Sequence, residues 1–257
     1  MTRIAITGAG GNVGRELLDA FDESEVLAFT HSEHDDIDSD RLDVTDPDDV
    51  AEKLDNIDVV VHLAGASSPD AGWATVSETN IQGTKHVLDA AVENDIDRVV
   101  FASSNHAVGQ YNSADAADPE TVMLTHQEPV PADAPTAPDS LYGVSKAACE
   151  NLTTFYAHRH GLEVVNLRIG WLMREEDLRA RTGEDVDPGA AQFARATWLS
   201  PRDCRDIHRR AARVDLPESP VTVNAVSRND ARFYTLTEAM RSLGYEPRDD
   251  AAEVLDT

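Results

Sequence analysis

The chain has 257 residues, a length that suits a single α/β domain with a full core, and its 48 acidic against 22 basic residues leave a formal charge of −26. So acidic a chain repels nucleic acid and anionic lipid, while a hydrophobic content of 41%, gathered into runs such as "DVVVHLAG", argues against disorder. An acidic surface with three lysines in all reads as adaptation to concentrated salt, where carboxylates stay hydrated and their repulsion is screened, and points to a halophile, an archaeon in the first instance.

Cys149 and Cys204 lie in separate segments, with no CxxC and no histidine at metal-ligand spacing, so reduced thiols and no metal centre are expected. The first strand begins by Arg3, leaving no room for a signal peptide, and no run approaches the roughly 20 apolar residues of a membrane span. A cytoplasmic protein is the expectation.

In chain order, "RIAIT" reads as a buried strand, "NVGRELLDAF" as a helix and "EVLAFT" as a second strand. An acidic loop from His31 to Asp40 leads to "RLDV", a short helix after Pro47 and the strand "DVVVHLAG". The helix around "TNIQGTKHVLDAAVE" and the strand "RVVFASSN" follow. Residues 109–139, rich in Pro, Asp and Ala, read as a long loop able to cover a site. Then come the helix "SLYGVSKAACENLTTFYAHRH", the strand "LEVVNLRIG" and a second irregular stretch from Trp171 to about Gln192. The chain closes with a helix over "TWLSPRDCRDIHRRAARV", a strand "VTVNAVS" and a helix over "DARFYTLTEAMRSLG". Strands alternating with helices, and apolar on both faces, predict a doubly wound parallel sheet of Rossmann type: residues 1–170 as a dinucleotide-binding domain, and residues 171–257 as a small substrate-binding portion packed on it.

"ITGAGGNVG" stands where the first strand gives way to the first helix, the context that a phosphate-cradling turn requires. Gly8, Gly11 and Gly14 let the backbone approach a pyrophosphate, and Asn12 and Val13 open the helix whose N-terminus offers N–H donors and partial positive charge. About 20 residues on, where NAD sites carry a carboxylate for the adenosine ribose, this chain has Thr30 and His31, which leans the cofactor toward NADP, with NAD kept open because Glu33 or Asp35 lies near. Asp43, with Val44 beside it in "RLDV", is placed for the adenine edge or for plain solvation at a strand end.

Tyr142 and Lys146 sit at i and i+4 of one helix and so project from the same face. An ammonium beside the phenol oxygen favours the phenolate, the general base that takes a proton from an alcohol while its hydride departs. Five tyrosines and three lysines scattered over 257 positions would almost never give this spacing by chance. Ser104 and Asn105, ending "RVVFASSN" at the carboxyl edge of the sheet, are candidates to bond the reacting oxygen and a neighbouring hydroxyl; alone, "SSN" is more often a turn.

Taken together, "TGAGGNVG", "HLAG", "FASSN" and "YGVSK" resemble the extended short-chain dehydrogenase/reductases in order and spacing over roughly residues 1–170. The resemblance implies catalytic Ser104, Tyr142 as base, and Lys146 on the nicotinamide ribose as well as beside Tyr142. It also implies Asn80 on the helix beneath the site, and Leu63, Ala64 and Gly65 along the cofactor cleft. "FASSNHAVGQY", "LYGVSKAACEN", "LRIG" and "TWLSPRDC" are most similar to sugar 1-dehydrogenases typified by uronate dehydrogenase, with haloarchaeal glucose 6-phosphate and L-arabinose dehydrogenases as near relatives. That match implies oxidation of an anomeric carbon to a lactone, with Ser67, Asn105 and His106 on sugar hydroxyls and Ile169 by the nicotinamide.

Two departures bear on the sugar. Where uronate dehydrogenases carry a serine after "RIG", Trp171 stands here, either to stack on a sugar face or to serve as core. Arg195 lies two places off the arginine that binds the sugar carboxylate, and Arg174, Arg179 and Arg181 are alternatives for a phosphate. The leading function is an NAD(P)-dependent aldose 1-dehydrogenase acting on a small-molecule sugar, L-arabinose or another neutral aldose, or glucose 6-phosphate. Uronate dehydrogenase, a nucleotide-sugar epimerase or dehydratase, and a non-enzymatic dinucleotide sensor are the alternatives. Relatives of this kind pair through the helices bearing Asn80 and Tyr142, so a homo-oligomer is implied.

Overall fold

The computed structural model describes residues 1–115 and 117–256, so that Ala116, inside the expected long loop, and Thr257 lie outside the described residues. The elements run β1 (Arg3–Thr7), α1 (Asn12–Leu17), β2 (Glu25–Thr30), β3 (Asp40–Arg41), α2 (Pro47–Lys53) and β4 (Val59–His62). A single turn α3 (Trp73–Thr75), a π-helical segment (Val76–Gln82) and α4 (Gly83–Glu93) follow without interruption. Next come β5 (Arg98–Ser104), a 3₁₀ turn (Asn105–Val108), β6 (Ser113–Asp115), β7 (Asp118–Val122), α5 (Leu141–His160) and β8 (Glu163–Ile169). The chain ends with β9 (Trp171–Leu172), α6 (Glu175–Arg181), α7 (Pro188–Thr197), β10 (Trp198–Leu199), α8 (Pro201–Arg213), β11 (Val221–Ala225), α9 (Thr237–Leu243) and α10 (Ala251–Leu255).

Seven strands form one parallel sheet in the order β11-β8-β5-β4-β1-β2-β3. This is the expected Rossmann-type α/β fold, and the order reverses at β1 and β4, where such sheets open a ligand crevice. Side chains alternate faces along each strand. Ile4, Ile6, Val61, Val100 and Leu167 pack with Leu17 of α1 and with Ile207 and Ala211 of α8. Ala5, Val60, Val99 and Val164 pack with Val50 of α2, with Val87 and Leu88 of α4, and with Tyr156 of α5. Burial on both faces explains why these strands read as unbroken apolar runs. Residue 170 does not divide the sheet, because β11 pairs with β8 from Val221↔Val165 to Ala225↔Ile169.

Several expectations change in the second half. The expected loop 109–139 holds the antiparallel hairpin β6–β7, whose second strand packs on α7. The stretch expected to be irregular from Trp171 to Gln192 is strand, helix and helix. Asp187 caps α7, its carboxylate accepting from Gly189 N at 2.8 Å and Ala190 N at 3.1 Å, and Pro188 sits at the first helical position. Trp198 and Leu199 are strand residues pairing with Trp171 and Leu172, so the helix expected from "TW" begins at Pro201, capped by Ser200. "DARFYT" is likewise outside α9, which begins at Thr237. Among the described residues no helix is long and apolar enough to cross a membrane, and no group of His, Cys, Asp and Glu is arranged to hold a metal.

Candidate active site

A cleft of about 910 Å³ runs along the carboxyl edge of the sheet from the glycine turn to the hairpin. Of the residues assigned to a site from the sequence, Gly8, Gly11, Asn12, Val13, Gly14, His31, Asp43, Val44, Leu63, Ala64, Gly65, Ser67, Ser104, Asn105, His106, Tyr142, Lys146, Ile169 and Trp171 line it, and Asn80 and Arg195 do not.

At the first turn Gly8 has φ +72°, and a Cβ there would stand 2.7 Å from Ala64 N. Only glycine allows this close seating of the β1 turn on "LAG". A Cβ at Gly14 would stand 2.6 Å from both Ala9 Cα and Gly8 O, so the helix start is equally tight. The cradle therefore fits a dinucleotide pyrophosphate, with Gly8, Gly11 and Gly14 giving close backbone approach and α1 giving its N-terminus. Beyond it, Thr30, His31, Ser32 and His34 line the cleft; Asp36 instead pairs with Arg15 at 2.6 Å, and neither Glu33 nor Asp35 lines the cleft. Asp43 Oδ1 accepts from the Thr45 hydroxyl at 2.7 Å and from Thr45 N at 3.0 Å, and these bonds hold its carboxyl below the usual range.

At the other end Ser104 closes β5 beside Ile169 of β8, and its hydroxyl caps the 3₁₀ turn by accepting from His106 N at 3.2 Å. "SSN" is thus a turn that also lines the cleft. Lys146 is 5% exposed; its Nζ donates to Ala102 O at 2.7 Å and lies 5.6 Å from the Tyr142 ring centre. The helix carrying both is fixed from behind. Arg168 forks onto Glu150 at 2.9 and 2.8 Å, and Ser103 donates to the same carboxylate at 2.6 Å, which joins β8, α5 and β5 in a buried network. In front, a Cβ on Gly143 would stand 2.2 Å from His106 O, so the "YG" pair is required for α5 to touch the turn.

Asn80 is 1% exposed and stands behind the cleft. Its Oδ1 accepts from Ala66 N at 2.7 Å, and its Nδ2 donates to Ala66 O at 3.1 Å and Ser145 Oγ at 2.9 Å. It ties the "GAS" loop to α5 from a π-helical segment, a conformation common near sites. Arg195 is exposed on the outer side of α7, while Phe193, two places earlier, faces inward; the helical turn puts the two on different sides. Arg174 pairs with Glu16 at 3.0 Å, Arg179 with Glu175 at 3.5 Å, and Arg181 lies 4.7 Å over the Trp171 ring. None of these arginines lines the cleft. Trp171 packs on Phe193, ring centres 5.9 Å apart, and also lines the cleft.

The sequence reading missed Glu120, Phe193 and Asp139. Glu120 lines the cleft from β7. Asp139 receives His106 Nδ1 at 2.8 Å and stands directly before Ser140, the cap of α5. The Asp-Ser pair ahead of "LYGVSK" was a readable cap signal for Asp139; Glu120 and Phe193 carried none, since their elements were not recognised.

The model of the NAD dependent epimerase/dehydratase family matches residues 4–176. The chain is 49% identical over 257 residues to an L-arabinose 1-dehydrogenase (NAD(P)(+)) of Haloferax volcanii, covering 100% of each chain. It is 36% identical over 261 residues to an NAD-dependent glucose-6-phosphate dehydrogenase of the same organism, covering 97% of this chain and 94% of the relative. Among solved structures, a uronate dehydrogenase variant from Agrobacterium tumefaciens complexed with NAD matches with a TM-score of 0.79 at 27% identity, over 98% of this chain and 87% of the other. A cradle shaped for a dinucleotide, a serine, tyrosine and lysine meeting at its far end, and these likenesses agree, and the chain belongs to the NAD dependent epimerase/dehydratase family.

Proposed function

We propose that the protein is an NAD(P)-dependent aldose 1-dehydrogenase that oxidises the anomeric carbon of a neutral cyclic sugar, L-arabinose in the first instance, to its lactone. The observation that carries this reading is the convergence of Ser104, Tyr142 and Lys146 in a cleft whose other end is the glycine cradle. When bound, a nicotinamide dinucleotide supplies the acceptor for the hydride that leaves C1. The residues do the rest. Ser104 Oγ and the Tyr142 hydroxyl hold the C1 hydroxyl, and Tyr142 takes its proton as the C1–H bond breaks. Lys146, anchored on the Ala102 carbonyl, holds its Nζ 5.6 Å from the Tyr142 ring centre, beside the group that takes the proton. Asn105, buried directly after Ser104 and lining the same cleft, serves a neighbouring sugar hydroxyl in this reading. His106 and Ser67 serve neighbouring hydroxyls.

NADP is accepted at least as well as NAD in this reading, because no carboxylate at the end of β2 lines the adenosine end. Assembly is proposed to be homo-oligomeric, with Leu141, Val144 and Phe155 exposed on one face of α5. The place of action is proposed to be the cytoplasm of a salt-adapted cell. Reduction of NAD or NADP in molar KCl, tested across L-arabinose, D-glucose, D-galactose, glucose 6-phosphate and glucuronate, examines the reading; no reduction with any aldose overturns it.

A further inference from the structure

Glu120 stands on β7, and its side chain lines the cleft together with Ser67, His106, Trp171 and Phe193. The strand is held there by packing against α7, close enough that a Cβ on Gly189 would stand 3.0 Å from Val122 O. Glu120 is half-buried. Its main-chain N–H donates to Asp118 Oδ1 at 3.2 Å, but among the described residues no side-chain hydrogen bond or ion pair engages its carboxylate. In this acidic chain most carboxylates lie exposed or are paired, as Glu150 is with Arg168. A partly desolvated carboxylate without a partner is costly unless a ligand supplies donors. Burial raises its carboxyl above the usual range, with His106 and Arg181 opposing the shift.

The surroundings define the donor. Phe193 and Trp171 present a tilted aromatic wall, 5.9 Å between ring centres, suited to the C–H face of a sugar ring. The ammonium of Lys146 is committed to Ala102 O, and no arginine lines the cleft. In molar salt, charges act only over about 3 Å, so a surface carboxylate discriminates little while one in contact with the ligand discriminates strongly.

We propose that Glu120 is the specificity-determining residue of the sugar site, accepting hydrogen bonds from ring hydroxyls of a neutral aldose and turning away aldoses that carry a carboxylate or phosphate. This inference rests on the aldose dehydrogenase reading above.

L-Arabinose, D-galactose and D-galacturonate share their ring-hydroxyl configuration and differ at C5, so they isolate charge. Steady-state kinetics for the three in molar KCl, with wild type, Glu120→Gln and Glu120→Ala, test the inference, with cofactor affinity measured alongside as the control for folding. Wild type is expected to favour the neutral sugars. Glu120→Gln is expected to raise the galacturonate-to-arabinose ratio of kcat/KM by on the order of tenfold or more, through a higher KM for arabinose and a lower one for galacturonate. A ratio unchanged in both variants, or a wild type that prefers galacturonate, overturns the role of Glu120 while leaving the dehydrogenase reading intact. A wild type that oxidises none of the three but does oxidise another aldose overturns the role of Glu120, and one that binds cofactor and oxidises no aldose overturns that reading as well.

Discussion

His106 Nδ1 lies 2.8 Å from Asp139 Oδ2, where the 3₁₀ turn after β5 meets the start of α5. The carboxylate accepts, so Nδ1 donates and the ring orientation is fixed. Asp139 Oδ1 also accepts from the Ser140 hydroxyl at 2.9 Å, and Ser140 Oγ in turn accepts from Gly143 N at 3.0 Å. One carboxylate, 1% exposed, thus aligns the histidine and the cap ahead of Tyr142. Asp139→Asn, which offers an amide N–H to Nδ1, is expected to lower kcat/KM for the sugar by on the order of 10- to 100-fold with cofactor affinity unchanged. If Asp139 acts through His106, Asp139→Asn adds nothing further to His106→Gln; additive losses contradict this.

Removing the base is expected to cost more. Tyr142→Phe should lower kcat by on the order of 10² to 10⁴ while calorimetric cofactor affinity stays the same. Lys146→Arg should not restore wild-type rate, because a planar guanidinium does not fit the compact ammonium position, 2.7 Å from Ala102 O and 5.0 Å from the Phe101 ring centre.

Gly143→Ala places a methyl against the His106 carbonyl at 2.2 Å. The α5 N-terminus must shift, and we expect a loss of about 1–3 kcal/mol in stability along with reduced activity. Gly183→Ala meets nothing nearer than 3.8 Å and should leave thermal stability within error of wild type.

Much of this site was legible in the sequence because its residues act through local spacing. The glycine turn needs a strand, a turn and a helix in order, and Tyr142 and Lys146 need four residues on one helix. The parallel sheet was legible because strands buried on both faces are apolar throughout, as β4 and β5 are. The substrate end was not, since it is assembled from β7, β9 and α7, short elements paired at long range whose positions depend on tertiary contacts. The stretch to Gln192 read as irregular and instead contains the start of α7, whose turn brings Phe193 to the cleft and leaves Arg195, two places on, outside it.

At the adenosine end, Ser32→Asp adds a carboxylate where Thr30, His31, Ser32 and His34 line the cleft. We expect the Kd for NADP, measured by calorimetry without sugar, to rise by on the order of 10- to 100-fold through contact repulsion of the 2′-phosphate. The Kd for NAD should change little. Equal weakening of both cofactors would place the 2′-phosphate elsewhere.

Two buried histidines set a pH limit. Burial, with Lys146 adding to it, pushes His62 down to about 3, and burial pushes His208 down to about 4. Both are neutral in the fold, while the unfolded chain binds protons below about 6.5, so stability falls as pH drops through 6 toward 4, by about 1.4 kcal/mol per unit for each histidine. His208 donates from Nδ1 to Cys204 O at 2.8 Å, and its buried Nε2 has no partner among the described residues. His208→Leu is expected to recover about 2 kcal/mol of the stability lost between pH 6.5 and pH 5, read from denaturant titrations at the two pH values.

The most direct test of the central claim is the product formed when the wild-type protein and Tyr142→Phe are each given L-arabinose and NADP in molar KCl. The account requires wild type to generate NADPH and the lactone in equal amounts, and Tyr142→Phe to bind the cofactor normally while forming almost none of either. NADPH formed at wild-type rate by Tyr142→Phe, or no lactone from wild type with any neutral aldose, would contradict it.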